Sequence, residues 1–88
     1  MRADAQRFVA GTLKLCPGVD GPRLAALADF SYNLGLTRLK GSTLRRKVLA
    51  GDWDAAAVEI RKWTRGGSRV LPGLVLRREA EARLLISS

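Results

Sequence analysis

Eight carboxylates are the side chains through which this 88-residue sequence could do acid–base chemistry: Asp4, Asp20, Asp29, Asp52, Asp54, Glu59, Glu79 and Glu81. There is no histidine, so serine–histidine and cysteine–histidine nucleophile systems are excluded. Cys16 is the single cysteine. It cannot form an internal disulfide, and without histidine it cannot join a usual zinc site. It reads as a small core or hinge residue. No phosphate-binding glycine pattern occurs. What is left to test is carboxylate chemistry of the kind that cleaves glycosides. That chemistry needs a protonated acid at the departing oxygen and usually a second carboxylate roughly 5–9.5 Å away.

The acids divide by local context. Asp52 and Asp54 sit at a helix start, where capping and the helix dipole account for them. Glu79 and Glu81 stand among Arg77, Arg78 and Arg83, whose charges are expected to lower their pKa values, whereas a general acid needs the opposite shift. Asp4 lies in a polar helix and Asp20 in a turn. Asp29, in a helix that reads as buried, and Glu59, on the flank of a helix rich in tryptophan, remain as candidates. Local sequence therefore assigns no catalytic residue, and it assigns no metal ligand and no cofactor.

The elements that would position these groups are all helices. Residues 2–15 form the first, with Ala5, Phe8, Val9, Thr12 and Leu13 on one side at spacings of three and four. Cys16-Pro17-Gly18-Val19-Asp20-Gly21-Pro22 breaks it. A second helix runs over 22–33, with Pro22 in its first turn, a stripe of Leu24, Leu27, Ala28, Ser31 and Leu34, and Gly35 as its stop. A linker is expected over 36–41. Ser42 then caps a short basic helix, 43–50, which Gly51 ends. Asp52 caps the next, in which Trp53, Ala56, Ala57, Ile60 and Trp63 share a face; that pattern makes both tryptophans core residues. Gly66-Gly67-Ser68 reads as a turn. The last helix covers 70–86, its stripe of Leu71, Leu74, Val75, Ala82 and Leu85 interrupted by Arg78, with Glu79 placed to pair with Arg83. The fold class is all-α, about five helices in a single domain.

Sixteen basic against eight acidic residues leave a net charge of +8. Residues 38–69 hold nine basic and three acidic groups, a local excess of six. Such a surplus suits a polyanion such as nucleic acid, anionic lipid or an envelope polymer, and equally a solvated surface that keeps the protein soluble.

Four stretches carry a resemblance: Leu24 to Gly35, with Phe30-Ser31-Tyr32-Asn33-Leu34-Gly35 at its end; Ser42 to Trp53, reading STLRRKVLAGDW; Arg61 to Gly67; and Val70 to Glu81, reading VLPGLVLRREAE. In this order and spacing they resemble the C-terminal helical lobe of the phage-type lysozymes, or muramidases, of glycoside hydrolase family 24. Residues 2–15 resemble the helix that joins that family's two lobes, and 22–86 the lobe itself. The family's catalytic glutamate, aspartate and threonine belong to an N-terminal lobe that no residue of this sequence matches, so none is carried over. The resemblance implies an endolysin that hydrolyses the link between N-acetylmuramic acid and N-acetylglucosamine, with this chain inactive alone.

Substrate contact does carry over. By the match, Tyr32 and Asn33 would line the sugar cleft, with Thr43 and Glu59 at substrate-contacting positions. An aromatic face suits a pyranose ring, and amide and hydroxyl groups suit its polar substituents. Each has a plainer reading: Tyr32 as a half-buried core aromatic, Asn33 as a helix terminator, Thr43 as capping support, Glu59 as an exposed helical acid. Arg65 and Arg69 are placed to meet anionic groups or water. The expected partner is peptidoglycan, with a second chain or self-association covering the exposed cleft face. A repurposed basic lobe binding a protein or nucleic acid is the alternative. No apolar run approaches the roughly 20 residues that cross a bilayer. No apolar stretch follows the first basic residues as a signal peptide requires. The expected location is the cytoplasm of the host bacterium, with action at the cell wall.

Overall fold

A computed structural model of the chain describes residues 3–66 and 69–86. Among them are six helices: α1 (Ala3–Leu15), α2 (Gly21–Leu34), α3 (Leu36–Lys40), α4 (Thr43–Leu49), α5 (Trp53–Arg61) and α6 (Pro72–Ile86). Two-residue segments, β1 (Arg65–Gly66) and β2 (Arg69–Val70), pair antiparallel between α5 and α6. The domain is all-α as expected. The turn expected at Gly66-Gly67-Ser68 falls partly on residues outside those described.

The predicted caps form. Ser42 Oγ accepts from the Arg45 N–H at 3.1 Å, and Asp52 Oδ1 accepts from the Ala55 N–H at 3.2 Å. Gly35 stops α2 with φ of 99° and donates its N–H to Ser31 O at 2.7 Å. The expected linker after it is instead α3. The chain re-enters helical geometry at once, Leu39 donates to Gly35 O at 3.3 Å, and the buried Leu39 side chain anchors the turn. Five residues are too few for hydrophobic periodicity to register.

Helix α5 is shorter than its stripe implied. Lys62 and Trp63 donate to Glu59 O and Ile60 O, both three residues back, a tighter winding that ends the α-helix. Trp63 is thereby carried onto α2, edge-on to Phe30 at 5.4 Å and 86°. Both tryptophans pack half-buried against a core that includes Leu27, Phe30, Leu39, Leu44, Ile60 and Leu85.

Helices α2 and α6 run antiparallel. Arg23 Nε reaches Leu85 O at 2.8 Å near one end, and Arg77 Nη2 meets Asp29 Oδ1 at 2.8 Å further along. The buried face of α6 differs from the predicted stripe. It is Arg78, Glu81, Ala82 and Leu85, whereas Leu71 and Val75 are 41% and 40% exposed. By helical position these two continue the buried face, but Val75 lies in the first turn of α6 and Leu71 just before it.

Helix α1 lies across α2 and α3. The buried Thr12 hydroxyl donates to Phe8 O at 2.6 Å and lies 3.2 Å from Ser31 Oγ, so the contact with α2 has a polar centre. Gly11 has no Cβ, which lets Leu36 of α3 settle on the α1 backbone. Arg45 closes the end of α1, donating Nε to Leu15 O at 2.8 Å. Cys16 is buried in the core, its N–H bonded to Thr12 O at 2.8 Å, and burial pushes its thiol pKa up against the pull of Arg45.

Candidate functional site

Tyr32 is on the last turns of α2, 55% exposed. Its ring meets Phe8 of α1 edge-on, with centroids 5.4 Å apart and planes at 73°. With Val9, Ala28 and Asp29 the two rings line a hollow of about 330 Å³ between α1 and α2. Tyr32 is thus a surface aromatic held from one side. Asn33 is exposed beside it and donates Nδ2 to Asp29 O at 3.1 Å, within its own helix.

Thr43 opens α4, half-buried, and its hydroxyl accepts from Arg46 Nη2 at 3.3 Å. Glu59 lies on α5 with its side chain 19% exposed and accepts from Lys62 Nζ at 2.8 Å. Their hydrogen bonds run to neighbours in their own segments. Tyr32 and Asn33 share one helix end, while Thr43 and Glu59 belong to the adjoining α4–α5 pair. The side chains of Arg65 and Arg69 lie outside the described ones.

The carboxylates fall into distinct environments. Burial acts to raise Asp29, but hydrogen bonds from Arg77 and Glu81 and the charges of Arg77 and Arg78 outweigh it and hold the carboxyl below its usual range. Glu79 is lowered as the sequence predicts, first by its bond from Arg61 at 2.9 Å and further by Arg83 at 3.6 Å. Glu81 contradicts the expectation. Burial, then its hydrogen bond with Asp29, raise it to about 8 against the opposing pull of Arg78. Proximity to arginine was legible in the sequence. The burial that overrides it was not, because charged residues on an amphipathic helix ordinarily face water.

Asp29 and Glu81 therefore form a carboxyl pair with pKa values driven apart, the pattern that often separates a base from an acid. Geometry denies this pair that use. Glu81 is 2% exposed and sealed between α2 and α6, and the two carboxyls touch, far closer than the roughly 5–9.5 Å at which glycosidase acids flank a sugar. Arg78, 0% exposed, holds Glu81 through Nη2–Oε2 at 2.8 Å and an Nε–Oε1 approach of 2.7 Å, the second without hydrogen-bond alignment. Its guanidinium carbon sits 5.5 Å from the centre of the Phe30 ring, which faces part of the remaining charge. Asp52 is occupied as a cap, and Asp20 is exposed at the start of α2. The Asp4 side chain lies outside the described ones. No group of three metal-binding side chains assembles among the described residues, and no helix there is long and apolar enough to cross a membrane.

Comparison with known proteins adds a lineage to this geometry. The family described as Phage lysozyme matches residues 1–81. An endolysin of Bacillus phage B103 is 43% identical over 88 residues, covering 99% of this chain and 34% of the relative. An endolysin of Bacillus phage PZA is 38% identical over 88 residues, again covering 99% of this chain and 34% of the relative. A SAR-endolysin of Escherichia phage Mu is 39% identical over 56 residues, covering 64% of this chain and 33% of the relative. The chain spans about a third of the length of these curated relatives. The matches support the endolysin reading and give none to a repurposed inhibitor or nucleic-acid binder.

Proposed function

Because the chain belongs to the phage lysozyme family, we propose that its 88 residues are the glycan-holding helical part of an endolysin acting on peptidoglycan. Tyr32 carries the reading: a large aromatic, 55% exposed, braced edge-on by Phe8 at the open end of α2. Such a ring offers a rigid face to a pyranose with little ordering cost, because its brace already fixes it. Asn33 supplies amide groups for acetamido or hydroxyl oxygens, Thr43 a hydroxyl, and Glu59 an acceptor whose Lys62 contact water or sugar can replace.

The proton donor for cleavage is not among the described carboxylates on this reading. Asp29 and Glu79 are held ionised, and Glu81, which is held protonated, has no route to a sugar oxygen. An intact family enzyme would cleave between N-acetylmuramic acid and N-acetylglucosamine with an acid from another segment. The test is co-sedimentation of the chain with purified peptidoglycan sacculi at high salt, where non-specific charge attraction is screened. Retention that falls several-fold in Tyr32→Ala, with the fold intact by circular dichroism, supports the reading; equal retention of both proteins refutes it.

Leu71 and Val75 extend the buried face of α6 into solvent and offer apolar area to a second protein surface. Self-association of the chain through that area is expected. Light scattering should give a mass above one chain, returning to one chain in Leu71→Ser/Val75→Ser. A single-chain mass for the unmodified protein at all concentrations would contradict it.

A further inference from the structure

A hollow of about 430 Å³ lies between α1 and α3. It uses a different face of α1 from the one bearing Phe8. Its floor is apolar: Ala10, Leu15 and Leu36, the last seated low because Gly11 has no Cβ to hold it off. Its rim is cationic: Arg7, Lys14 and Lys40. Arg7 and Lys14 stand two turns apart on α1 with Ala10 between them, and Lys40 ends α3 across the hollow.

Arg7 places its guanidinium carbon 5.7 Å from the centre of the Phe8 ring, while Lys14 and Lys40 are exposed. Arg23, Arg45, Arg61, Arg77 and Arg78 each bond a carbonyl or carboxylate. Among the described residues, no acid pairs with Arg7, Lys14 or Lys40, and no acid lines the hollow. An apolar floor rimmed by cations that no acid neutralises among the described residues is complementary to a ligand with an apolar body and an anionic head. The volume is in the roughly 300–1,000 Å³ range of small-molecule sites. It is bounded on one side by the single short helix α3, too little wall for a docked helix with anchors over several turns.

We propose that this hollow binds a single-chain anionic amphiphile, its acyl chain on Leu15, Leu36 and Ala10 and its phosphate or carboxylate among Lys14, Lys40 and Arg7. Charge-assisted hydrogen bonds from flexible ammonium groups suit a head group without fixed geometry. The site does not use Tyr32, so it is independent of glycan contact.

The probe is decyl phosphate, kept below its micelle concentration and titrated into the full chain while nuclear magnetic resonance follows the methyl groups of Leu15, Leu36 and Thr37. The expected result is saturable binding with shifts centred on those residues. Affinity should drop about tenfold or more for inorganic phosphate alone, for decanol, and for the chain carrying Lys14→Glu and Lys40→Glu. Those lysines are exposed, so the variant should keep the unmodified chain's circular dichroism. Retention on phosphatidylglycerol vesicles but not phosphatidylcholine ones, lost in the double variant, would identify a bilayer lipid as the source. Binding of free decyl phosphate without vesicle retention would identify a soluble amphiphile. No saturable binding, equal binding of decanol, or unchanged affinity in the variant overturns the proposal, and none of these bears on the sacculus test with Tyr32→Ala.

Discussion

At Arg78 and Glu81 a guanidinium and a carboxyl are enclosed between α2 and α6, with Asp29 and Arg77 continuing the chain of contacts to the surface. The protonation of this cluster gives the fold a pH signature. Glu81 has a folded pKa of about 8 against an ordinary 4.5, so the native state binds more protons than the unfolded one between those values. Its stabilising contribution is complete below 4.5 and declines as the pH rises to about 8. Asp29 has the opposite sign: held below 3.8, it contributes above that value and loses its contribution as the pH falls through its lowered pKa. Thermal unfolding across the pH range should therefore show greatest stability near 4.5, falling on both sides. In Glu81→Gln, which keeps an uncharged hydrogen-bonding group, the alkaline decline should flatten. Stability that climbs steadily from 4.5 to 8 in the unmodified protein would contradict this account. The arginines around Glu79 and Glu81 are legible in the sequence, but the difference between the two acids is not. Two residues apart on a helix, they point about 200° apart, one toward Arg61 and solvent, the other inward.

Among the elements, α2 and α3 show what local chemistry fixes and what it leaves open. Gly35 was legible as a stop. Its φ of 99° and ψ of 147° lie in a region nearly closed to other residues, and a Cβ there would meet nothing within 4 Å. The cost of Gly35→Ala is therefore one of backbone conformation rather than collision, about 1–3 kcal/mol. A denaturant midpoint lowered accordingly, with an unchanged slope, is the expected result; an unchanged midpoint would mean that α2 and α3 do not depend on that geometry. The caps Ser42 and Asp52 were legible for the same reason, since each acts on an N–H three residues ahead. Helix α3 was not, because its stability comes from Leu39 in the core and Leu36 against Gly11, contacts with elements remote in sequence. The end of α5 was hidden too. Trp63 keeps the periodicity of the helix while leaving it, drawn onto Phe30.

Over the whole molecule, several of the sixteen basic residues are spent on structure rather than left as free basic surface. Arg23 and Arg45 close the C-terminal ends of α6 and α1, and Arg23 also lies 4.0 Å above the Trp53 ring. Arg61, Arg77 and Arg78 are engaged with acids. Removing one such group should cost more than an exposed charge does: Arg23→Ala loses both a carbonyl bond and a stacked contact, about 1–3 kcal/mol in unfolding free energy. A loss below a few tenths would show that the pair of contacts is not energetically coupled to the fold. The lineage was legible from four ordered stretches of sequence. The candidate site was legible only as residue types. That Tyr32 is braced by Phe8 follows from how α1 packs on α2, and that Asn33 is spent partly on its own helix follows from its bond back to Asp29 O.

On the proposed function, these helices hold a glycan without supplying the acid that breaks it. Release of new reducing ends from purified peptidoglycan by the 88-residue chain measures it most directly. No release above buffer is expected. Release at an enzymatic rate, abolished by Glu59→Gln or Asp29→Asn, would contradict it and place the proton donor in this chain.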